Sequence, residues 1–203
     1  MRYRSEVWLI VAVSLFSLIG AFAWSAMRME NAISDSPGTT GLIKQPVPVT
    51  TAAASGVEWF QDMRPYCNAV DVETRMRWTP APASIDGDTY RAACYALAGR
   101  TDRARELIGG LPADRRWQAA GTVFDIGHPA ADAGDELAAG PLMELVVEFW
   151  PNHYMALYHA GAAAFVRSGL DRAEDYLTRF LTEYDVEDGW RSNARGMLER
   201  MQG

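Results

Sequence analysis

PNHYMALYHAGAAAFVRSGLDRAEDYLTRFLTEY, residues 151–184, decides how the rest of the chain is read. Its apolar spacing predicts two amphipathic helices of about 14 residues each, joined by a short turn at Ser168, Gly169 and Leu170. Leu157, Ala160, Gly161 and Ala164 form one stripe. Ala173, Tyr176, Leu177, Phe180, Leu181 and Tyr184 form the other. Small residues at Ala160, Gly161 and Ala173 allow two helix backbones to approach closely. A single hairpin of this kind cannot bury its own stripes, so the stretch predicts neighbours of similar build.

Outward from this hairpin the pattern stays helical. A last helix over residues 188–201 carries Trp190, Ala194, Met197 and Leu198, suited to covering the end of an array. Upstream, a helix reaching Trp150 holds Leu142, Leu145, Val146 and Phe149, with Pro141 within its first turns or at its start. Before it, residues 127–134 (GHPAADAG) read as an irregular insert. A helix over residues 114–126 precedes the insert, with Trp117, Ala120, Gly121 and Phe124. Earlier still lie a short helix from Thr101 with Ala104, Leu107 and Ile108, and a helix over residues 87–98 with Tyr90, Ala93, Cys94 and Leu97. Trp59, Phe60 and Met63 form a first stripe ending at Pro65; a second short helix, capped by Asn68, ends at Pro80. The expectation is an all-α domain over residues 57–203.

The N-terminal part differs in kind. Residues 7–27 carry no charged side chain, long enough as a helix to cross a hydrocarbon core of about 30 Å. Trp8 and Trp24 sit near its ends as interfacial anchors, and Arg2 and Arg4 precede it. This predicts a membrane anchor within residues 1–30, N-terminus inside and the remainder on the periplasmic side. The Ala21-Phe22-Ala23 pattern allows a cleaved signal peptide instead, and either way the rest of the chain is exported. Residues 31–56, rich in Pro, Thr, Ser, Gly and Ala, read as a linker. The net charge of −7 argues against a nucleic-acid partner.

The helical part resembles the tetratricopeptide repeat (TPR) family, whose hairpins recur about every 34 residues. Trp117, Ala120, Gly121 and Phe124 match its first-helix scheme, with Pro151 as the terminal proline; Tyr95, Gly99 and Ala104 match in one unit, and Leu157, Ala160, Gly161, Ala173 and Leu177 in another. Asp102-Arg103-Ala104 returns as Asp171-Arg172-Ala173. On this alignment the middle unit is about six residues too long, with the excess at residues 127–134. The resemblance implies an α-solenoid that binds other proteins along an inner groove. Arg115, Gln118, Thr122 and Asp125 would line it in the middle unit, and Met155, Tyr158 and Phe165 in the last. Tyr158 and Phe165 could equally pack against a neighbouring hairpin.

Chemistry is sparse in the sequence. His128 lies near Asp125, Asp132 and Asp135, as a carboxylate–histidine metal site would, but polar capping residues have the same look. His153 and His159 are six apart, which is not one helix face. With no phosphate loop, nucleophile elbow or Cys–His set in the sequence, the expectation is a non-enzyme without cofactor. Cys67 and Cys94 are either a disulfide, suited to an oxidising compartment, or two buried thiols. The leading expectation is a membrane-anchored scaffold whose partners are membrane or exported proteins, such as an accessory subunit of a respiratory or photosynthetic complex. The alternative is a cell-envelope enzyme or small-ligand binding factor using the His128 insert.

Overall fold

The structure, a computed structural model, describes residues 55–203, which fall within one compact unit, Thr50–Gly203. The apolar run with Trp8 and Trp24 lies outside the described residues. Among those residues, no helix is long and apolar enough to cross a membrane.

The described residues hold nine α-helices and no strand: α1 Gly56–Met63, α2 Val72–Trp78, α3 Ile85–Leu97, α4 Thr101–Gly110, α5 Ala113–Asp132, α6 Glu136–Phe149, α7 Tyr154–Val166, α8 Leu170–Glu183 and α9 Gly189–Gln202. A single 3-10 turn, Arg64–Tyr66, follows α1. Helix starts follow ordinary capping chemistry. Ser55 accepts from the Glu58 amide while the Glu58 carboxylate accepts from the Ser55 amide, a full capping box. The helical part therefore begins at Gly56, inside the stretch read as linker. Ser84, Asp135 and Asp188 cap α3, α6 and α9 with a side-chain oxygen that accepts from first-turn amides.

Helices α3 to α8 form three hairpins, α3–α4, α5–α6 and α7–α8. The first two meet through α3 and α5 and the last two through α6 and α7, while α1 lies on α3 and α9 on α7 and α8. The hairpins share a packing scheme. Ala92, Gly127 and Gly161 occupy equivalent buried places on the first helices, 35 and 34 residues apart. Ala104, Ala139 and Ala173 do so on the second helices at the same intervals, as do Ile108, Met143 and Leu177. A Cβ on Gly127 would lie 2.7 Å from Leu142 Cδ2, and one on Gly161 2.7 Å from Leu177 Cγ. The two helices of these hairpins thus touch where only hydrogen fits.

The first helices also end alike. The amides of Arg100, Asp135 and Gly169 bond back to the carbonyls of Tyr95, Ala130 and Ala164, and those of Gly99, Gly134 and Ser168 to Ala96, Ala131 and Phe165. Gly99, Gly134 and Ser168 each adopt positive φ, at 72°, 85° and 59°. This is the Schellman stop, in which a left-handed residue lets the last carbonyls find donors. Ser168 does this with a Cβ, at some cost in strain.

These facts correct the reading of the middle hairpin. Residues 127–134 are not an irregular insert: α5 continues through Asp132, with Pro129 inside it, and stops at Gly134. Proline removes one hydrogen bond, here toward Asp125, which is exposed. Gly121 does not take the tight contact, since a Cβ there would meet only Trp150, at 3.4 Å. Gly127 takes it. The extra length lies at the other end, because α5 has 20 residues against 13 in α3 and α7. Upstream, α2 starts later than a cap at Asn68 implies: its N-cap is Asp71, Val70 precedes it and is exposed, and Val72 is its buried residue. Pro141 lies inside α6, whose N-cap is Asp135.

A second, smaller core closes the N-terminal end. Trp59, Phe60, Met63, Cys67, Val72, Cys94 and Ala98 pack together. Trp59 donates its indole N–H to the Thr79 carbonyl at 3.0 Å, and the Gly56 amide donates to Asp86 at 2.6 Å. A disulfide joins Cys67 to Cys94, with Cα atoms 4.9 Å apart, and ties the segment after α1 to α3.

Candidate functional site

The chain has three histidines, and the fold brings them together: His128 and His153 lie against Phe124 of α5, and His159 lies against His128. His128 sits one turn further along α5, its ring stacked on Phe124 with centroids 4.6 Å apart. His153 is the N-cap of α7 and lies 4.2 Å from the same ring. His159 comes from the middle of α7 and is 1% exposed, with its ring 5.0 Å from that of His128. Trp150, Tyr158 and Trp190 complete the surroundings, with Trp150 against His153 and the other two against His159.

Each histidine is held differently. His153 Nδ1 accepts from the Ala156 amide at 3.2 Å, which keeps it a helix cap. Burial holds its imidazole below the ordinary value of 6.5, against the opposing pull of a backbone hydrogen bond and the Asp125 charge. His159 Nδ1 lies 3.1 and 3.2 Å from the two carboxylate oxygens of Glu136, the first residue of α6. An ionised carboxylate only accepts, so Nδ1 is the donor of this pair, and in the neutral ring Nε2 is the acceptor. His128 Nδ1 lies 3.4 Å from Asp132, one turn along α5. The Nε2 atoms of His128 and His159 are both buried without a hydrogen-bond partner. A buried polar atom left so costs about 1–3 kcal/mol.

The residues expected in a binding groove divide. Arg115, Gln118 and Asp125 are exposed along α5, with Arg115 donating to Gln118 at 3.2 Å. Thr122, on the same face, donates to the Gln118 carbonyl at 3.3 Å. Met155 is half-buried. Tyr158 lines a cleft against α9, beside Asn193, Gly196 and Arg200. It is 6% exposed, with its ring against Phe180 and Trp190. Phe165 is half-buried under the Arg200 guanidinium, 5.2 Å above its ring. Helix α9 brings Trp190 and Arg200 to these positions and so covers the face the two side chains were expected to offer.

Asp125 and Asp135 do not hold His128. Asp135 caps α6 by accepting from the Ala138 amide, and the carboxylates facing the histidines are Asp132 and Glu136. Glu136 escaped the sequence reading because it is 23 residues from His159. Trp117, 46% exposed and edge-on to Trp150 at 5.4 Å, is the large aromatic of the α5 surface. A separate 490 Å³ groove is lined by Glu73, Arg100, Asp102, Arg103 and Glu106. Arg103 and Glu106 pair within it at 3.2 Å, so it is a solvated ion network without a convergent acid–base set.

The domain is thus an all-helical stack of hairpins with a buried histidine–carboxylate cluster between its second and third hairpins. Comparison with known proteins found no matching family model, no similar curated protein and no similar solved structure.

Proposed function

We propose that this chain is a protein-binding scaffold: a TPR-like solenoid held at the outer face of a cytoplasmic membrane by residues 7–27, acting as an accessory or stabilising subunit of a membrane protein complex. The observation that carries this is the recurrence of one packing scheme at 35- and 34-residue intervals through three hairpins. A stack built this way presents a continuous outer surface and is open to partners along its length. Supporting it, α5 runs about two turns longer than its counterparts and sets Arg115, Trp117 and Gln118 on the surface of the added turns. Arg and Trp are the residue types that anchor protein interfaces. The role is one of binding rather than catalysis, with no cofactor required.

The full chain extracted in mild detergent should bring a stoichiometric membrane or exported protein with it. The Trp117→Ala, Arg115→Ala double variant should lose that partner by more than tenfold in yield, with helix content and melting temperature nearly unchanged. Recovery of the unaltered chain only as a lone monomer would sink the proposal. A second reading, an envelope enzyme or small-ligand binding factor centred on His128, draws on the convergence of the three histidines. It requires that changing His128 or Asp125 abolish an activity while the fold stays intact.

A further inference from the structure

We infer that His128, Asp132 and His159 form a binding site for one divalent transition-metal ion of the zinc class. Ligand-capable atoms of these three side chains lie within 4.8 Å of one another. The donor set, two imidazoles and a carboxylate, suits zinc and its neighbours rather than calcium or magnesium, which take oxygen shells.

Three further observations point the same way. His159 is 1% exposed and presents a buried Nε2 with no protein partner, and the Nε2 of His128 is in the same condition. No hydrogen bond joins the two imidazoles to each other, although their rings are 5.0 Å apart. Glu136 grips His159 through Nδ1, which fixes the ring and, in the neutral imidazole, leaves Nε2 as the ligating nitrogen. A carboxylate behind a ligating imidazole is the usual support of a metal-bound histidine, raising its basicity and holding its tautomer. The elements also differ in freedom in a useful way. His159 is locked in the core of α7, while Asp132 is half exposed on the last turn of α5, and His128 lies between them in exposure.

A tetrahedral ion with bonds of about 2.0–2.1 Å needs its ligand atoms roughly 3.3 Å apart. The three groups must therefore draw in by up to about 1.5 Å on binding, and the exposed Asp132 side chain is the one with room to swing. Water would take the remaining position from the exposed rim. Binding would join α5 to α7 and give both orphaned nitrogens a partner.

The test uses the full chain without a histidine tag, stripped of metal and titrated with Zn²⁺ by calorimetry and with Co²⁺ by visible absorption. One ion per chain is expected, with micromolar affinity or better and Co²⁺ bands of tetrahedral intensity. Zn²⁺ should raise the melting temperature of the unaltered protein. Asp132→Asn alters a side chain at the rim, so its metal-free melting should be near normal, and both Asp132→Asn and the more buried His128→Gln should lower Zn²⁺ affinity at least tenfold. Glu136→Gln keeps all three ligands and should retain the stoichiometry, with affinity reduced 10- to 100-fold. Absence of one-to-one binding by the unaltered chain would overturn the inference. So would binding that His128→Gln and Asp132→Asn leave unchanged, since the ion would then sit elsewhere.

Discussion

His153 shows how one side chain links a helix end to solution conditions. Its neutral ring caps α7 by accepting from the Ala156 amide, and the protonated ring could no longer accept there. Burial holds its folded-state value below the unfolded 6.5, so the unfolded chain takes up the proton first as pH falls. The stability this group contributes is present above about pH 6.5 and is lost as pH falls through the lower folded-state value. Denaturant melts of the described domain between pH 7.5 and 5 should show the midpoint dropping. His153→Asn keeps a capping acceptor without the titration, and its pH profile should be flatter over that range. A profile as steep as that of the unaltered protein would assign the slope to other groups. At the same scale, the tie between Tyr184 and Asp188 joins the end of α8 to the cap of α9 at 2.5 Å and pushes the Tyr184 phenol up to about 12. Removing the cap by Asp188→Ala should cost about 1 kcal/mol in denaturant stability.

At the scale of elements, the interest lies in which glycine of α5 meets its partner helix. Local spacing points to Gly121 as the small-residue place and reads Gly127 as part of a loop. Only Gly127 faces Leu142 and Met143 at a distance that excludes a methyl group. Gly127→Ala and Gly161→Ala should each destabilise by about 1–3 kcal/mol, the cost of overpacking a filled contact. Gly121→Ala should be neutral or stabilise by up to about 1 kcal/mol, because its Cβ meets Trp150 at ordinary contact distance and alanine favours the helix. Thermal or denaturant melts of the three variants distinguish the two registers, and the opposite order would refute the observed one. The sequence showed the paired helices α7 and α8 because their stripes are local, three or four residues apart. It hid the continuation of α5 because GHPAADAG carries the usual marks of a loop, and nothing within eight residues reveals that Leu142 and Met143 wait for Gly127.

At the scale of the described domain, the disulfide lies within the smaller core and ties it to α3, which also gives Ala92, Ala93 and Ala96 to the larger one. The smaller core of Trp59, Phe60, Met63 and Val72 is held to α3 by the Cys67–Cys94 bond as well as by packing. Closing a loop with a sequence separation of 27 stabilises by about 3 kcal/mol in the chain-entropy account. The Cys67→Ser, Cys94→Ser variant should melt at lower denaturant by about that amount. Hydrogen exchange should speed up most in α1 and α2 and least in α7 and α8, and uniform acceleration would argue against two separable cores. By itself, the sequence determined the helical class and the positions of most helix ends among the described residues. Those features rest on local spacing, capping chemistry and composition, which need no partner. Only the tertiary structure decided which glycine of α5 makes the close contact, that α9 buries Tyr158 and half-covers Phe165, that the two cysteines meet, and that three histidines far from Glu136 in sequence or separated from one another share one cluster. Each of these depends on what another helix brings to the same place, and a helix stripe says that it will be covered without saying by what.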